Sequence, residues 1–324
     1  MAKNYGNTLR RFGITTIDTG LVRPGFTASY LIVEDGLAAF VDVGPAATLP
    51  VLLEVLSSKQ IPRENVRYVL VTHVHLDHAG AAGKLLRELP NAQVVVHPKG
   101  ARHLISPERL IAQATAVYGA DILHTLFGEM APVPEERVIH AKHEFRLALN
   151  GRPLLFLDTP GHARHHYCVF DERSQGIFSG DTFGLSFREF DTDRGQFIFP
   201  TTSPVQFEPD ELHASLDLLM KYQPTSLYLA HFGRVTDVPR LADDLHHGID
   251  QLVELARGIT ISGPERRHEL IRQIEQLLLM RLQAHGCTLE REQILALFRP
   301  DIDLDVRGLE VWLDRIQKHQ EKRL

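Results

Sequence analysis

Apolar and polar positions along the chain follow first a mixed strand-and-helix rhythm and then, past about residue 239, a purely helical one. Strand-like runs open it at 14–17 and 28–33, and the second is joined through Glu34-Asp35-Gly36 to a third at 38–43. Asp-Gly between two apolar runs predicts a tight hairpin. Residues 46–59 carry Leu49, Leu52, Leu53 and Leu56 at helical spacing. A buried strand at 68–71 leads into a group of histidines and a helix to about Leu89, stopped by Pro90. The next strand is 93–96, and a helical stretch with several breaks covers about 99–128. Strands return at 144–149, 153–158, 166–171 and 176–179. Residues 182–206, rich in aromatic, charged, Gly and Pro residues, read as a long loop. An amphipathic helix at 208–222 and a strand at 226–230 close this part. The spacing then predicts four helices, at 243–257, 264–283, 289–298 and 306–320. Such an order is buried by two sheets packed together with helices outside.

Composition sets bounds on what the chain does. Apolar residues are 44% and charged residues 23% of the 324, the balance of a packed globular enzyme. A formal charge of −6 argues against a general nucleic-acid binder, which needs a basic surface to displace counterions. No apolar core follows Met1-Ala2-Lys3-Asn4-Tyr5, and no run approaches the roughly 18 apolar residues that cross a membrane. Cys168 and Cys287 lie far apart and form no CxxC pair. A protein of the reducing cytoplasm with no membrane partner is therefore expected. Should it self-associate, a homodimer is the expected form. Histidine is the outlier, at 18 residues.

Four candidate ligands fall within Val71-Thr72-His73-Val74-His75-Leu76-Asp77-His78, at the end of a buried strand and the start of a helix. His73 and His75 alternate along extended chain and point to one side, whereas Asp77 and His78 follow the turn and aim elsewhere. One loop can thus serve two neighbouring metal sites. Zinc takes imidazole and carboxylate ligands, and a pair of metals about 3.5–4 Å apart can share a hydroxide. Three more candidates each follow a strand: His162 after Thr159-Pro160-Gly161, Asp181 after Ser179-Gly180, and His231 after Ala230.

Thr72-His73-Val74-His75-Leu76-Asp77-His78 resembles the signature of the metallo-β-lactamase superfamily, in the form seen in glyoxalase II, tRNA 3′-end nucleases and lactonases. Val41-Asp42-Val43-Gly44, Thr159-Pro160-Gly161-His162, Ser179-Gly180-Asp181 and Ala230-His231-Phe232-Gly233 resemble its other motifs, in the family's order, over about residues 10–235. The resemblance implies an α/β (α+β) fold, the four-layer αβ/βα sandwich, over 1–238, and the helical spacing beyond it predicts an all-helical C-terminal appendage over 239–324. It also implies two divalent metal ions, zinc before iron or manganese. His73, His75 and His162 would hold one and Asp77, His78 and His231 the other, with Asp181 bridging and Asp42 supporting the ligands from behind. Asp77 and Asp181 are then the candidate catalytic acids. Flavodiiron members usually have Glu at the position of His75, and single-iron members use fewer ligands, so hydrolysis is expected over redox chemistry.

A small thioester, ester or lactone is the first expectation for the substrate. A phosphodiester or nucleotide is the alternative, and a metal-binding regulator without catalysis a third. His166 either packs beneath the site or lies nearer the substrate. His165, where glyoxalase-like members tend to have Gly, is expected at the surface, with proton donation to a leaving group as the alternative. Phe26, Phe183 and Phe187 are candidates for substrate contact, with pinning of the long loop an equal alternative for the aromatic set. His97 reads as structural, and His246 and His247 as solvated helix positions.

Overall fold

In the computed structural model, which describes residues 11–321, the hairpin at Asp35-Gly36 starts the first of two sheets. β1 (Ile14–Asp18) pairs antiparallel with β2 (Ala28–Glu34), and β2 with β3 (Leu37–Val41). Asp35 and Gly36 take φ of 43° and 84°, the left-handed pair that a two-residue hairpin turn requires. β4 (Val66–Val71), β5 (Gln93–Val96) and β6 (Val138–His140) add in parallel, in the order β1-β2-β3-β4-β5-β6. Parallel neighbours need crossovers, and helices supply them. α1 (Leu49–Ser58) lies between β3 and β4, and α2 (Leu76–Ala79) and α3 (Ala82–Glu88) between β4 and β5. α4 (Pro98–Ile105), α5 (Glu108–Tyr118), α6 (Ala120–Ile122) and a π-helical turn (Leu123–Phe127) precede β6.

The second sheet has the order β12-β11-β10-β9-β8-β7. Its strands are β7 (Phe145–Leu149), β8 (Arg152–Asp158), β9 (Tyr167–Asp171), β10 (Gly176–Leu185), β11 (Ser226–His231) and β12 (Gly233–Val235). Two buried tyrosines tie sheet to sheet, since a buried phenol must find an acceptor. Tyr30 Oη donates to the Leu229 carbonyl (2.5 Å) and Tyr167 Oη to that of Val95 (2.7 Å). Burial, and then the charge of Asp42, push the Tyr167 phenol well above its usual pKa, so it stays a donor. A wholly buried ion pair crosses β8 and β9. Arg152 Nε donates to Asp171 Oδ1 (2.8 Å), a second bond joins Nη2 to Oδ2, and Nη1 reaches the Phe12 carbonyl (2.6 Å).

The chain gathers into two compact units. One comprises the chain up to Asp158, His165–Gly180 and Gln223–Thr236; the other, Thr159–Arg164, Asp181–Tyr222 and Asp237 onward. In the second unit α7 (Pro209–Met220) is followed by α8 (Val238–Gly258), α9 (Pro264–Ala284) and α10 (Arg291–Glu321). α10 corrects the expectation of separate helices at 289–298 and 306–320, because it runs through Pro300 without a break. An interior proline costs about 3 kcal/mol. The continuous buried stripe of Ile294, Phe298, Ile302, Val306, Leu309 and Trp312 offsets it. The loop expected over 182–206 is a second correction. β10 continues to Leu185, and the Leu185 and Phe199 backbones bond both ways at 2.8 and 2.9 Å. Phe187, Phe190 and Phe199 pack on Phe298, with ring centroids 5.2, 5.2 and 5.8 Å away.

His246 is not simply solvated. His213 Nδ1 and His246 Nδ1 lie 2.6 Å apart, and their outer nitrogens face Asp250 (3.2 Å) and Asp217 (3.4 Å). The ring planes are within 5° of parallel with centroids 4.9 Å apart. The nitrogens take up much of that separation, so the rings meet edge to edge rather than face to face.

Asp305 is buried in α10 and accepts from the Thr202 backbone N–H (2.6 Å). Burial pushes its carboxyl up to about 7 from an ordinary 3.8, against the opposing hydrogen bonds from Thr202 and Thr201. A folded-state value above the unfolded one means stability that is complete below pH about 4 and lost as pH rises through about 7. The loss is on the order of a few kcal/mol. Asp305→Asn keeps an acceptor for Thr202 and cannot ionise. Its thermal midpoint is expected to stay level between pH 4 and 8, where that of the parent falls, as differential scanning calorimetry across that range will show.

Candidate metal centre

Parallel pairing of β3 with β4 places the two strand ends side by side, and the loops beyond them carry the site. Asp42, just past β3, takes a left-handed φ of 50°. Its carboxylate accepts from Thr72 N (2.8 Å) and Thr72 Oγ1 (3.0 and 2.9 Å) and faces His78 Nδ1 at 3.3 Å. Val43 N donates to the His78 carbonyl (2.7 Å). Thr72 in turn lies 3.2 Å from His73 Nδ1. Because its one hydroxyl hydrogen goes to Asp42, Thr72 Oγ1 accepts from His73 Nδ1–H. That fixes the tautomer and makes His73 Nε2 the acceptor nitrogen of the ring, turned to His75 Nδ1 at 2.8 Å.

His78 turns its Nδ1 toward the Asp42 carboxylate, and its Nε2 lies 3.1 Å from Asp77 Oδ2, with His231 Nε2 3.6 Å from that oxygen. Lone pairs of imidazole facing a carboxylate need a cation between them, either a proton or a metal ion. Ligand atoms of Asp77, His78 and His231 lie within 4.8 Å of one another, and the donor set of two imidazoles and a carboxylate suits a divalent ion. Replacing Asp42 with Asn removes the charge that orients His78 and Thr72. Zinc affinity measured by competition with a chelating dye is expected to fall about 10- to 100-fold.

Imidazoles crowd around this core. The His73 ring lies 4.3 Å from His78, 4.9 Å from His166 and 6.4 Å from His165, centroid to centroid. His166 is completely buried, and only glycine fits beside it: a Cβ on Gly180 would sit 2.4 Å from His166 Nε2 and 2.8 Å from Thr72 Oγ1. His165 corrects its expected surface position. It is 7% exposed, 5.8 Å from the His75 ring and 6.2 Å from that of His103, because the chain after residue 164 folds in against α4. Phe26 stands edge-on to His231 at 5.7 Å, with the Arg23 guanidinium 5.5 Å from its own ring. His97 is structural as expected. Its Nδ1 accepts from Lys99 N at the start of α4 (3.1 Å), and its Nε2 faces Asp158 at 3.2 Å.

In the second unit His162 Nε2 and Asp181 Oδ2 are 3.3 Å apart, both buried. α7 positions the loop that carries His162. Ser215 Oγ donates to the Pro160 carbonyl (2.6 Å) and Glu208 N to that of Gly161 (2.8 Å). A Cβ on Gly161 would lie 2.4 Å from the Leu212 backbone, so the loop can press onto α7 only with glycine there. Phe183 and Phe187 are fully buried, and Phe187 is spent on packing against Phe298. Sequence reading passed over Thr72, whose signal was its place between the strand end and His73, and Gly180, whose signal was its place just before Asp181.

The model of the metallo-beta-lactamase superfamily matches residues 22–251. Metallo-beta-lactamase fold-containing protein ST1585 of Sulfurisphaera tokodaii is 25% identical over 236 residues, which are 72% of this chain and 82% of that protein. The crystal structure of ST1585, an archaeal superfamily protein, superposes with a TM-score of 0.63 at 23% identity, covering 92% of this chain and 98% of that one. The metallo-beta-lactamase family protein TTHA1429 from Thermus thermophilus gives a TM-score of 0.63 at 20% identity, with 94% of each chain covered. A chemotaxis sensor, ODP, solved as a peroxy diiron species, gives 0.52 at 14% identity over 74% of this chain and 92% of that one. Likenesses this distant speak for the fold alone, but the family match spans well over half of the sequence. On that match, and on the strand-end loops that carry its motifs, the chain belongs to the metallo-β-lactamase superfamily.

Proposed function

We propose that this protein is a dinuclear metal-dependent hydrolase of a small thioester, ester or lactone. In this reading His73, His75 and His162 would hold one divalent ion, Asp77, His78 and His231 would hold the second, and Asp181 would be shared between them. The observation that carries it is the pairing of His78 Nε2 with Asp77 on an imidazole whose Nδ1 faces Asp42. Such a pair of ions, when bound, lowers the pKa of water to about 7 and offsets charge that develops on the substrate. Zinc suits the donor set, and iron or manganese would also be accepted.

The chain's own residues do the positioning. Thr72, itself held by Asp42, fixes the tautomer of His73, and the Asp42 carboxylate faces His78 Nδ1 at 3.3 Å. His166 and Gly180 close the space behind His73. Phe26 covers one face of the His231 environment with an apolar edge. No described helix is long and apolar enough to cross a membrane. Cys168 and Cys287 are both free thiols, the first of them buried.

Elemental analysis of the purified protein, paired with rates on a thioester, a lactone and bis(p-nitrophenyl) phosphate, tests the reading. Close to two ions per chain with turnover of the thioester or lactone supports it. Turnover of the phosphodiester alone moves the substrate class to phosphoryl transfer. Full metal occupancy with no turnover of any of the three leaves a metal-binding regulator.

A further inference from the structure

Two helices of the second unit, α7 and α8, each carry one His-x3-Asp run, His213 with Asp217 and His246 with Asp250. Residues four apart share a helix face, so each run presents an imidazole and a carboxylate together. The two runs cross. His213 Nε2 faces Asp250 Oδ1 at 3.2 Å, His246 Nε2 faces Asp217 Oδ1 at 3.4 Å, and the two Nδ1 atoms meet at 2.6 Å. None of these four side chains belongs to the candidate metal centre.

A carboxylate brings only lone pairs, so the ring hydrogen belongs on each outer nitrogen, and the inner nitrogens meet lone pair to lone pair. A positive charge has to lie between them. With neutral rings the four side chains carry two negative charges, of which a proton offsets half and a divalent ion all. The arrangement is also that of metal-bound imidazoles, in which one ring nitrogen holds the ion and a carboxylate holds the other.

Zinc binds an imidazole nitrogen at about 2.0–2.1 Å, and a tetrahedral ion sets two such nitrogens about 3.3 Å apart, so the pair has to open by roughly 0.7 Å. The side chains of His213 and His246 are 25% and 27% exposed and those of Asp250 and Asp217 72% and 68%, so the rings have room to swing outward with their carboxylates. Solvent can supply the remaining ligands.

We propose that His213 and His246 bind one divalent ion of the zinc, nickel and copper class through their Nδ1 atoms, stapling α7 to α8. Imidazole suits those ions, whereas magnesium and calcium need oxygen ligands. The staple bears on the loop of His162, because α7 holds that loop through Ser215 Oγ on the Pro160 carbonyl (2.6 Å) and through Leu212 against Gly161. The site stands apart from the hydrolase reading and survives its failure.

The test compares the zinc content of the full chain after dialysis against micromolar zinc with that of His213→Ala, His246→Ala and Asp250→Asn variants. His247→Ala, an exposed neighbour, is the control. The parent is expected to hold one zinc more than either His213→Ala or His246→Ala, and the same as His247→Ala. Asp250→Asn should keep the site and weaken it about tenfold, as loss of a carboxylate behind a metal-bound imidazole does. Thermal scans give a second readout. Zinc at about a hundredfold excess over its Kd should raise the midpoint of the parent about 5 °C more than that of His246→Ala, while magnesium should raise both alike. Equal zinc content and equal stabilisation in the parent and both histidine variants overturn the site and leave a proton between the rings. A histidine variant that also loses the ions of the candidate metal centre has a folding defect. Asp250→Asn then decides: a tenfold loss of zinc affinity supports the site, and an unchanged affinity overturns it.

Discussion

Asp77→Asn is expected to lower lactone or thioester turnover on the order of a thousandfold and to leave closer to one divalent ion per chain than two. The Asp77 carboxylate faces both His78 Nε2 and His231 Nε2, at 3.1 and 3.6 Å. Asparagine keeps its size but brings no charge, and its amide can offer a hydrogen to the same lone pairs that a metal ion would use. A divalent ion held there loses charge compensation and a ligand at once. The rate falls further than occupancy because charge stabilisation in a site shielded from water is worth several kcal/mol. His97→Asn is the matched control. It also removes an imidazole beside a carboxylate at a strand end, but that pair caps α4 and serves Asp158, so metal content and rate should change little. An Asp77→Asn enzyme with two ions and nearly full activity would remove Asp77 from the ligand set.

The largest stability effect is expected at Arg152. Arg152→Met leaves Asp171 wholly buried without its cation, and breaking one side of a buried pair costs about 3–5 kcal/mol. At roughly 2–4 °C per kcal/mol for a domain of this size, the thermal midpoint should fall by about 10 °C. Glu34 still has Arg173, so the loss centres on Asp171, whose other contacts come from Ser174 Oγ and the Arg173 N–H. Pairing Arg152→Met with Asp171→Leu should recover much of the stability, since an apolar replacement of both partners removes the buried charge altogether. A double variant no better than the single one would mean that the cost comes from lost packing rather than from the stranded carboxylate. Thermal scans of the two single variants and the double variant decide it.

Much of the site was legible because metal ligation needs particular side chains at the ends of strands, and sequence shows both. The HxHxDH run and the strand before it put His73, His75, Asp77 and His78 in one short segment, and the structure has His73 and His75 between β4 and α2 with Asp77 and His78 in α2 itself. What sequence could not show was the support behind the ligands. Thr72 has an ordinary residue type, and its importance lies in sharing one hydroxyl between Asp42 and His73. His165 looked like a surface residue because nothing local announces that the loop before β9 folds inward. β6 and β12 went unread because three-residue strands have no measurable period, and the last residues of β10 because Gly180 and Gly184 break up a run that is buried on both faces. Pro300 misled in the opposite sense. Local propensity ends a helix there, while the buried stripe on either side carries it through.

The aromatic cluster around Phe298 has a consequence for the birth of the protein on the ribosome. Phe187, Phe190 and Phe199 leave the exit tunnel about a hundred residues ahead of the helix that covers them. At synthesis rates of about 5–20 residues per second, three large rings wait some 5–20 s for their partner. During that interval the nascent chain presents a sticky surface whose cover has yet to be made, and this is when it has most need of a chaperone.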